Sequence, residues 1–303
     1  ESNISVGKNP SSLAVNTQNG DIFVAHGTEG VASIIDKNNR VKTFDLDSLL
    51  GTGYFPFFFS FLNQDQRLLI INPQIHTFAL YDVGNLTVIA SGNIGFPPVN
   101  ALASEPTGLF FIRSADGTLT LMNASGVMNR ISVSSSAEQP YFSNPRGIYM
   151  ASEADKIFVM NIGSNVVTVI DASTQKPIGK ISVEDSPRGS VFLNATQKLY
   201  IFSPSSKSIT VADMTKPGYP TENITIEAHP IGINVNQKTK RIYVATQDNT
   251  GIVVIDGDTN QIVTVIALPE KSFPQSVSIN EDLNRVYVGL NGRNSLVAID
   301  GKT

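Results

Sequence analysis

A unit of about forty residues recurs seven times along this chain, and no other feature limits its fold so tightly. The clearest copy is Pro230 to Ile266, PIGINVNQKTKRIYVATQDNTGIVVIDGDTNQIVTVI. Four runs rich in Val, Ile and Tyr lie within it: Ile231–Val235, Arg241–Ala245, Gly251–Ile255 and Gln261–Ile266. Polar turn residues separate them, so each reads as a short strand. Copies start again at Pro145, Pro187 and Pro274, and looser ones at Pro10, Pro56 and Pro98. An Asp follows the third run at Asp36, Asp82, Asp171, Asp213, Asp256 and Asp300, and Asn123 holds that place in the remaining copy. The spacings between these markers are 46, 41, 48, 42, 43 and 44 residues. An Asx side chain there has a physical reason, because its oxygen accepts a backbone N–H two residues on and nucleates a tight turn.

Four antiparallel strands per unit, at this length, predict an all-β seven-bladed β-propeller spanning 1–303 as a single domain. The runs are nearly continuous in apolar residues, as expected where a blade is covered on both faces by its neighbours. Helical periodicity is missing almost everywhere; a short helical turn over Asp45–Leu50 fits as a local insert. The last copy stops three residues after Asp300, without its fourth run. Asn3-Ile4-Ser5-Val6 precedes Pro10 much as Lys180-Ile181-Ser182-Val183 precedes Pro187, which predicts that residues 3–6 complete the last blade and close the ring.

The segments KIFVMNIGSNVVTVID (156–171), RIYVATQDNTGIVVID (241–256) and RVYVGLNGRNSLVAID (285–300) resemble YVTN-type propeller repeats. The shared pattern is an aromatic-Val pair, a polar loop, an apolar run ending in Ile-Asp, and a Pro-led next unit. The resemblance extends over the chain and loosens in the copies at Pro56 and Pro98. It is similar to archaeal and bacterial surface-layer and other exported proteins, which implies a cell-surface or secreted role. It implies no activity, since propellers host many functions.

Composition excludes several classes. Charged residues are only 16% and the net charge is −4, with no basic cluster, so nucleic acid is not an expected partner. Cysteine and tryptophan are both absent, which removes disulfides, thiolate chemistry and a covalent haem or Trp-derived cofactor. No apolar run reaches the roughly 18 residues of a membrane span. The sequence begins at Glu1 without an initiator Met, and the expectation is an exported chain whose leader was removed. Few charges also suit an acidic habitat, where carboxylates are neutral and like-charge repulsion among basic groups would open a compact state.

The search for chemistry starts with His26, His76 and His229, whose register places them on loops of one propeller face. They form no HxH or HxxxH spacing and read as unrelated surface groups rather than a metal site, so no metal or other cofactor is expected. The repeat-marking Asp residues read as turn formers. Glu29, Glu105, Glu138, Glu153 and Glu184 are scattered, with no paired-carboxylate motif. Arg146 and Arg188 stand out, because Pro145-Arg146-Gly147 and Pro187-Arg188-Gly189 share one register where a first strand begins. Two guanidinium groups there could hold a carboxylate, a phosphate or an acidic glycan; the alternative is local pairing with Glu184 or Asp185. In Tyr54–Phe61, Phe57, Phe59 and Phe61 should point one way and Phe58 the other, mostly into core. N-x-[ST] acceptors occur at Asn3, Asn85, Asn123, Asn194 and Asn223, near the rim or a loop face by register.

These readings converge on an exported, N-glycosylated, non-catalytic propeller that is structural or binds a protein or glycan at the cell surface. The alternative is a propeller enzyme of lyase or lactonase type, working at the mouth of the central channel.

Overall fold

The computed structural model describes residues 5–8, 10–26, 30–46, 58–85, 87–133, 147–161, 164–247, 251–290 and 295–301. The chain divides into two compact units, Glu1–Pro145 and Arg146–Thr303. Unit 1 holds three four-stranded antiparallel sheets. They are β1 to β4 (Pro10–Val15, Ile22–His26, Val31–Ile35, Val41–Asp45), β5 to β8 (Phe58–Leu62, Arg67–Asn72, Thr77–Asp82, Thr87–Asn93) and β9 to β12 (Pro98–Ser104, Leu109–Ser114, Thr118–Asn123, Met128–Ser132).

Unit 2 holds three more such sheets and one of three strands among the described residues. They are β13 to β16 (Ile148–Ala151, Lys156–Asn161, Val166–Asp171, Lys176–Ser182), β17 to β20 (Gly189–Leu193, Lys198–Ser203, Ser208–Asp213, Thr221–Thr225), β21 to β24 (Pro230–Asn236, Arg241–Thr246, Ile252–Asp256, Ile262–Ile266) and β25 to β27 (Pro274–Asn280, Arg285–Leu290, Ser295–Asp300). Every pairing is an up-and-down antiparallel neighbour, so each four-stranded sheet is three consecutive hairpins and the three-stranded one is two. Seven sheets and their order agree with the seven repeats. The strand bounds differ from the sequence reading by about one residue at each end, as with β23, which runs Ile252–Asp256 and takes in the marker Asp. Of the strand expected over residues 3–6, residues 3 and 4 lie outside the described residues, and Ser5 to Lys8 belong to no strand. Most of the helical turn expected over Asp45–Leu50 falls outside the described residues, and a short 3-10 turn stands instead at Ser152–Ala154.

The core lies between neighbouring sheets of each unit. In unit 1, Phe23, Ala25 and Leu46 of the first sheet region pack against Phe59, Phe61, Leu68 and Ile70 of the second. Phe23 and Phe61 stack with ring centroids 5.5 Å apart. As expected from alternation, Phe59 and Phe61 point to this interface while Phe58 packs with Leu62 and Phe110 on the other side; Tyr54, Phe55 and Phe57 lie outside the described residues. In unit 2, Tyr200 and Phe202 of β18 pack against Ile242 and Val244 of β22. Full burial of each such side chain contributes about 1.5–3 kcal/mol.

The expectation of burial on both faces holds for the second and third strands of most sheets and fails for the fourth strands, and in β1 Leu13 and Val15 are also exposed. In β4, β12 and β20 only Phe44, Ile131 and Ile224 turn inward, and the other residues are exposed. An outermost strand meets a neighbour along one line only, so one inward residue is enough to hold it.

Candidate functional site

In six of the seven sheets the Asx after the third run builds the turn that the sequence predicts; for Asp300 the following residues 302–303 lie outside the described residues. Asp36 Oδ1 accepts the backbone N–H of Asn38 at 2.8 Å and of Arg40 at 2.9 Å. Asp82 takes Asn85, Asp171 takes Thr174, Asp213 takes Thr215, and Asp256 takes Asp258 and Thr259 in the same way. Asn123 does this with its amide oxygen, accepting from Ser125 at 3.0 Å and Val127 at 2.9 Å. In five sheets a basic residue opens the second strand directly opposite this Asp, and Arg67 meets Asp82 at 2.9 Å while Arg241 bonds Asp256.

These contacts favour the ionised carboxylates. The Thr174 N–H and hydroxyl, with the Ser173 hydroxyl, bring Asp171 down to about 2. The Thr215 hydroxyl, then Lys216 and the Thr215 N–H, bring Asp213 down to about 2. Donated backbone N–H groups also lower Asp36, Asp82 and Asp256.

A second recurring contact, which the sequence reading missed, links neighbouring sheets at their first turns. Asn63 Oδ1 accepts the N–H of Thr17 at 2.6 Å, and Glu105 accepts the N–H of Asn63 at 2.5 Å and of Gln64 at 3.1 Å. In unit 2, Gln237 Oε1 accepts from Asn194 N–H at 3.0 Å, and Glu281 accepts from Gln237 N–H at 2.7 Å. The residue types differ along each series, and only an oxygen on a side chain of suitable reach is shared, so no motif betrays it. Glu105 thus serves a clasp; Glu153 is exposed, and Glu29 and Glu138 lie outside the described residues.

The histidines do not converge. His26 is a correction to the expectation of three surface groups: it is fully buried at the end of β2, with Nε2 2.8 Å from Ser33 Oγ. His76 adopts a left-handed φ of 59° in the turn before β7. The Nδ1 of half-buried His229 lies 2.7 Å from the Pro204 carbonyl oxygen. Among the described residues no three His, Asp or Glu side chains gather into a group able to hold a metal ion.

Arg146 lies outside the described residues. Arg188 is half-buried where β17 begins, and its N–H donates to Phe202 O at 3.1 Å. The local pairing considered for it is not formed: Glu184 instead accepts from Ser208 Oγ at 2.7 Å and Asn223 Nδ2 at 2.6 Å. The Arg188 Nε is buried with no partner among the described residues. Gly189 has a separate reason, because a Cβ there would overlap the Phe202 ring.

Of the sequons, Asn3 lies outside the described residues. Asn85 Nδ2 donates to Asp82 at 3.1 Å, and Asn223 Nδ2 to Glu184. Asn194 is half-buried, and the hydroxyl of its Thr196 is buried without a partner. Near Asn223 the structure holds a polar cleft of about 340 Å3, between β20 and the start of β24, lined by Glu222, Thr225, Asn260 and Gln261 among others. Asn260, only 8% exposed, is its fixed wall: its oxygen accepts from Tyr200 Oη at 2.7 Å and Lys198 Nζ at 3.2 Å, and its amide donates to Glu222. Burial, then the charges of Asp256, Glu222 and Asp258, push the Tyr200 phenol well above its ordinary range, so it stays a donor. Arg113, buried in β10 at 2% exposure, was likewise invisible in the sequence.

No helix among the described residues is long and apolar enough to cross a membrane. No family model and no curated protein matches the chain. Solved structures do match in fold. The β-propeller domain of Cps50 (Swd1) from Myceliophteria thermophila superposes with a TM-score of 0.68 at 11% identity, covering 99% of each chain. The dihydro-heme d1 dehydrogenase NirN gives 0.79 at 12% identity over 97% of this chain and 64% of that one. A streptogramin B lyase gives 0.66 at 14% identity, covering 94% and 91%. Identities this low carry the fold alone, and these neighbours include enzymes and non-enzymes. The chain has the β-propeller fold, with seven sheets.

Proposed function

We propose that this protein is an exported, N-glycosylated, non-catalytic propeller of YVTN-type repeats that is structural or binds a protein or glycan at the cell surface. One observation carries the reading. Asp171 and Asp213 are held in turns and Glu281 in an inter-sheet clasp, while the Nε of the half-buried cation Arg188 has no partner among the described residues. A guanidinium in that state suits a carboxylate, phosphate or acidic sugar brought by a partner, with Arg146 as its neighbour in register. The test is fractionation of the source cells followed by intact-mass measurement. Recovery from the surface or medium with added sugar mass is expected; recovery of an unmodified cytosolic protein overturns the proposal, as does turnover of a lactone or lyase substrate by the purified chain.

A further inference from the structure

We infer that Asn123 is the preferred acceptor for an N-linked glycan among the described sequons; this rests on the reading of an exported glycoprotein and names the site within it. Glycan transfer uses the side-chain amide nitrogen. Nδ2 attacks C1 of a sugar carried on a lipid pyrophosphate, the N–C1 bond forms, and the C1–O bond to phosphate breaks. The pyrophosphate leaves with the electron pair, and one amide proton passes to a base on the transferase. A good acceptor therefore needs an unengaged Nδ2, a reachable hydroxyl two residues on, and a fold that survives the added sugar.

Asn123 meets all three conditions. Its oxygen is fixed by two backbone N–H groups, from Ser125 at 3.0 Å and Val127 at 2.9 Å, while its nitrogen bonds to no described residue. Ser125 is exposed. The product keeps the amide oxygen, so a glycosylated Asn123 still closes the turn that Asp closes in the other copies. Asn123 is itself half-buried, and anchoring its oxygen removes the rotamer freedom that attack would otherwise have to restrict.

The other described sequons each lack a condition. Asn85 and Asn223 would give up charge-assisted bonds from Nδ2 to Asp82 and Glu184. Asn194 is as buried as Asn123, but the hydroxyl two residues on, that of Thr196, lies buried. Losing one such hydrogen bond lowers the reactive fraction about tenfold, so occupancy should differ by about that factor.

The chain should be secreted from a host with N-glycosylation, and the four sites mapped by glycopeptide mass spectrometry. Sugar concentrated on Asn123 is expected. The Asn123→Asp variant keeps the turn oxygen and should lose the glycan with an unchanged melting temperature, and Ser125→Ala should lose it likewise. Sugar on Asn85, Asn194 or Asn223 with Asn123 bare overturns the assignment, as does secreted folded protein without sugar at any of the four. A cytosolic location of the natural protein would remove the exported reading and leave this host result standing, so the two failures are distinguishable.

Discussion

Gln237 holds Asn194 across the gap between two sheets: its side-chain oxygen accepts the Asn194 N–H at 3.0 Å, and its amide donates to Phe192 O at 2.7 Å. Its own N–H is in turn accepted by Glu281 at 2.7 Å. The Gln237→Ala variant loses both side-chain bonds and should cost about 1–3 kcal/mol of stability. Gln237→Glu keeps the acceptor for Asn194 but sets a carboxylate against the Phe192 carbonyl, so it should recover little of that loss. Urea denaturation of both variants checks this, and a neutral Gln237→Ala would show that the clasp does not contribute.

Acid should act through the turn carboxylates. Asp171 and Asp213 are lowered from 3.8 to about 2 in the folded chain. The unfolded chain takes up these protons first, so the stability they contribute is fully present above about pH 4. It is lost as pH falls through about 2. Denaturation midpoints should stay flat from neutral pH to about pH 4 and decline between pH 4 and 2. NMR titration of the two side chains gives the folded midpoints directly, and ordinary values near 3.8 would contradict the geometry.

Gly251 takes a φ of 113°, and a Cβ there would overlap the Ile266 carbonyl oxygen at the start of the chain's exit from β24. Its own carbonyl accepts from Thr246 N–H at 3.2 Å and Thr246 Oγ1 at 2.8 Å. Gly251→Ala should therefore destabilise by about 1–3 kcal/mol, from overpacking and the disfavoured backbone together. Thermal unfolding measures it, and a variant as stable as the parent would show that this turn relaxes freely.

Arg188 should behave oppositely. Its Nε is buried without a partner among the described residues, which costs stability, so Arg188→Met should leave the fold unchanged or stabilise it by about 1 kcal/mol. The same change should weaken retention on an acidic polysaccharide such as polygalacturonate. A strongly destabilised Arg188→Met with unaltered retention would make the residue a structural one.

The sequence disclosed the architecture because the repeat carries two local signals at once, the apolar runs of the strands and an Asx whose turn chemistry acts within five residues. Asp36 and Asp256 could be read in advance for that reason. The clasps from Asn63 to Thr17 and from Gln237 to Asn194 join residues more than forty positions apart and accept any side chain with an oxygen at the right reach. His26 misled because its loop register suggested exposure, while its neighbour Ser33 supplies a buried partner that only the sheet pairing brings near. Arg188 was singled out by its repetition with Arg146, but its lack of a partner depends on Glu184 being engaged by Ser208 and Asn223, which no register predicts.

The fourth strands β4, β12 and β20 each commit a single side chain, Phe44, Ile131 or Ile224, to the interior. Evolution can therefore rewrite nearly every letter of the perimeter while the inner three strands go on folding as before. What this molecule shows to its surroundings is free to diverge faster than what it is built on, so related chains can share every turn and still meet different neighbours.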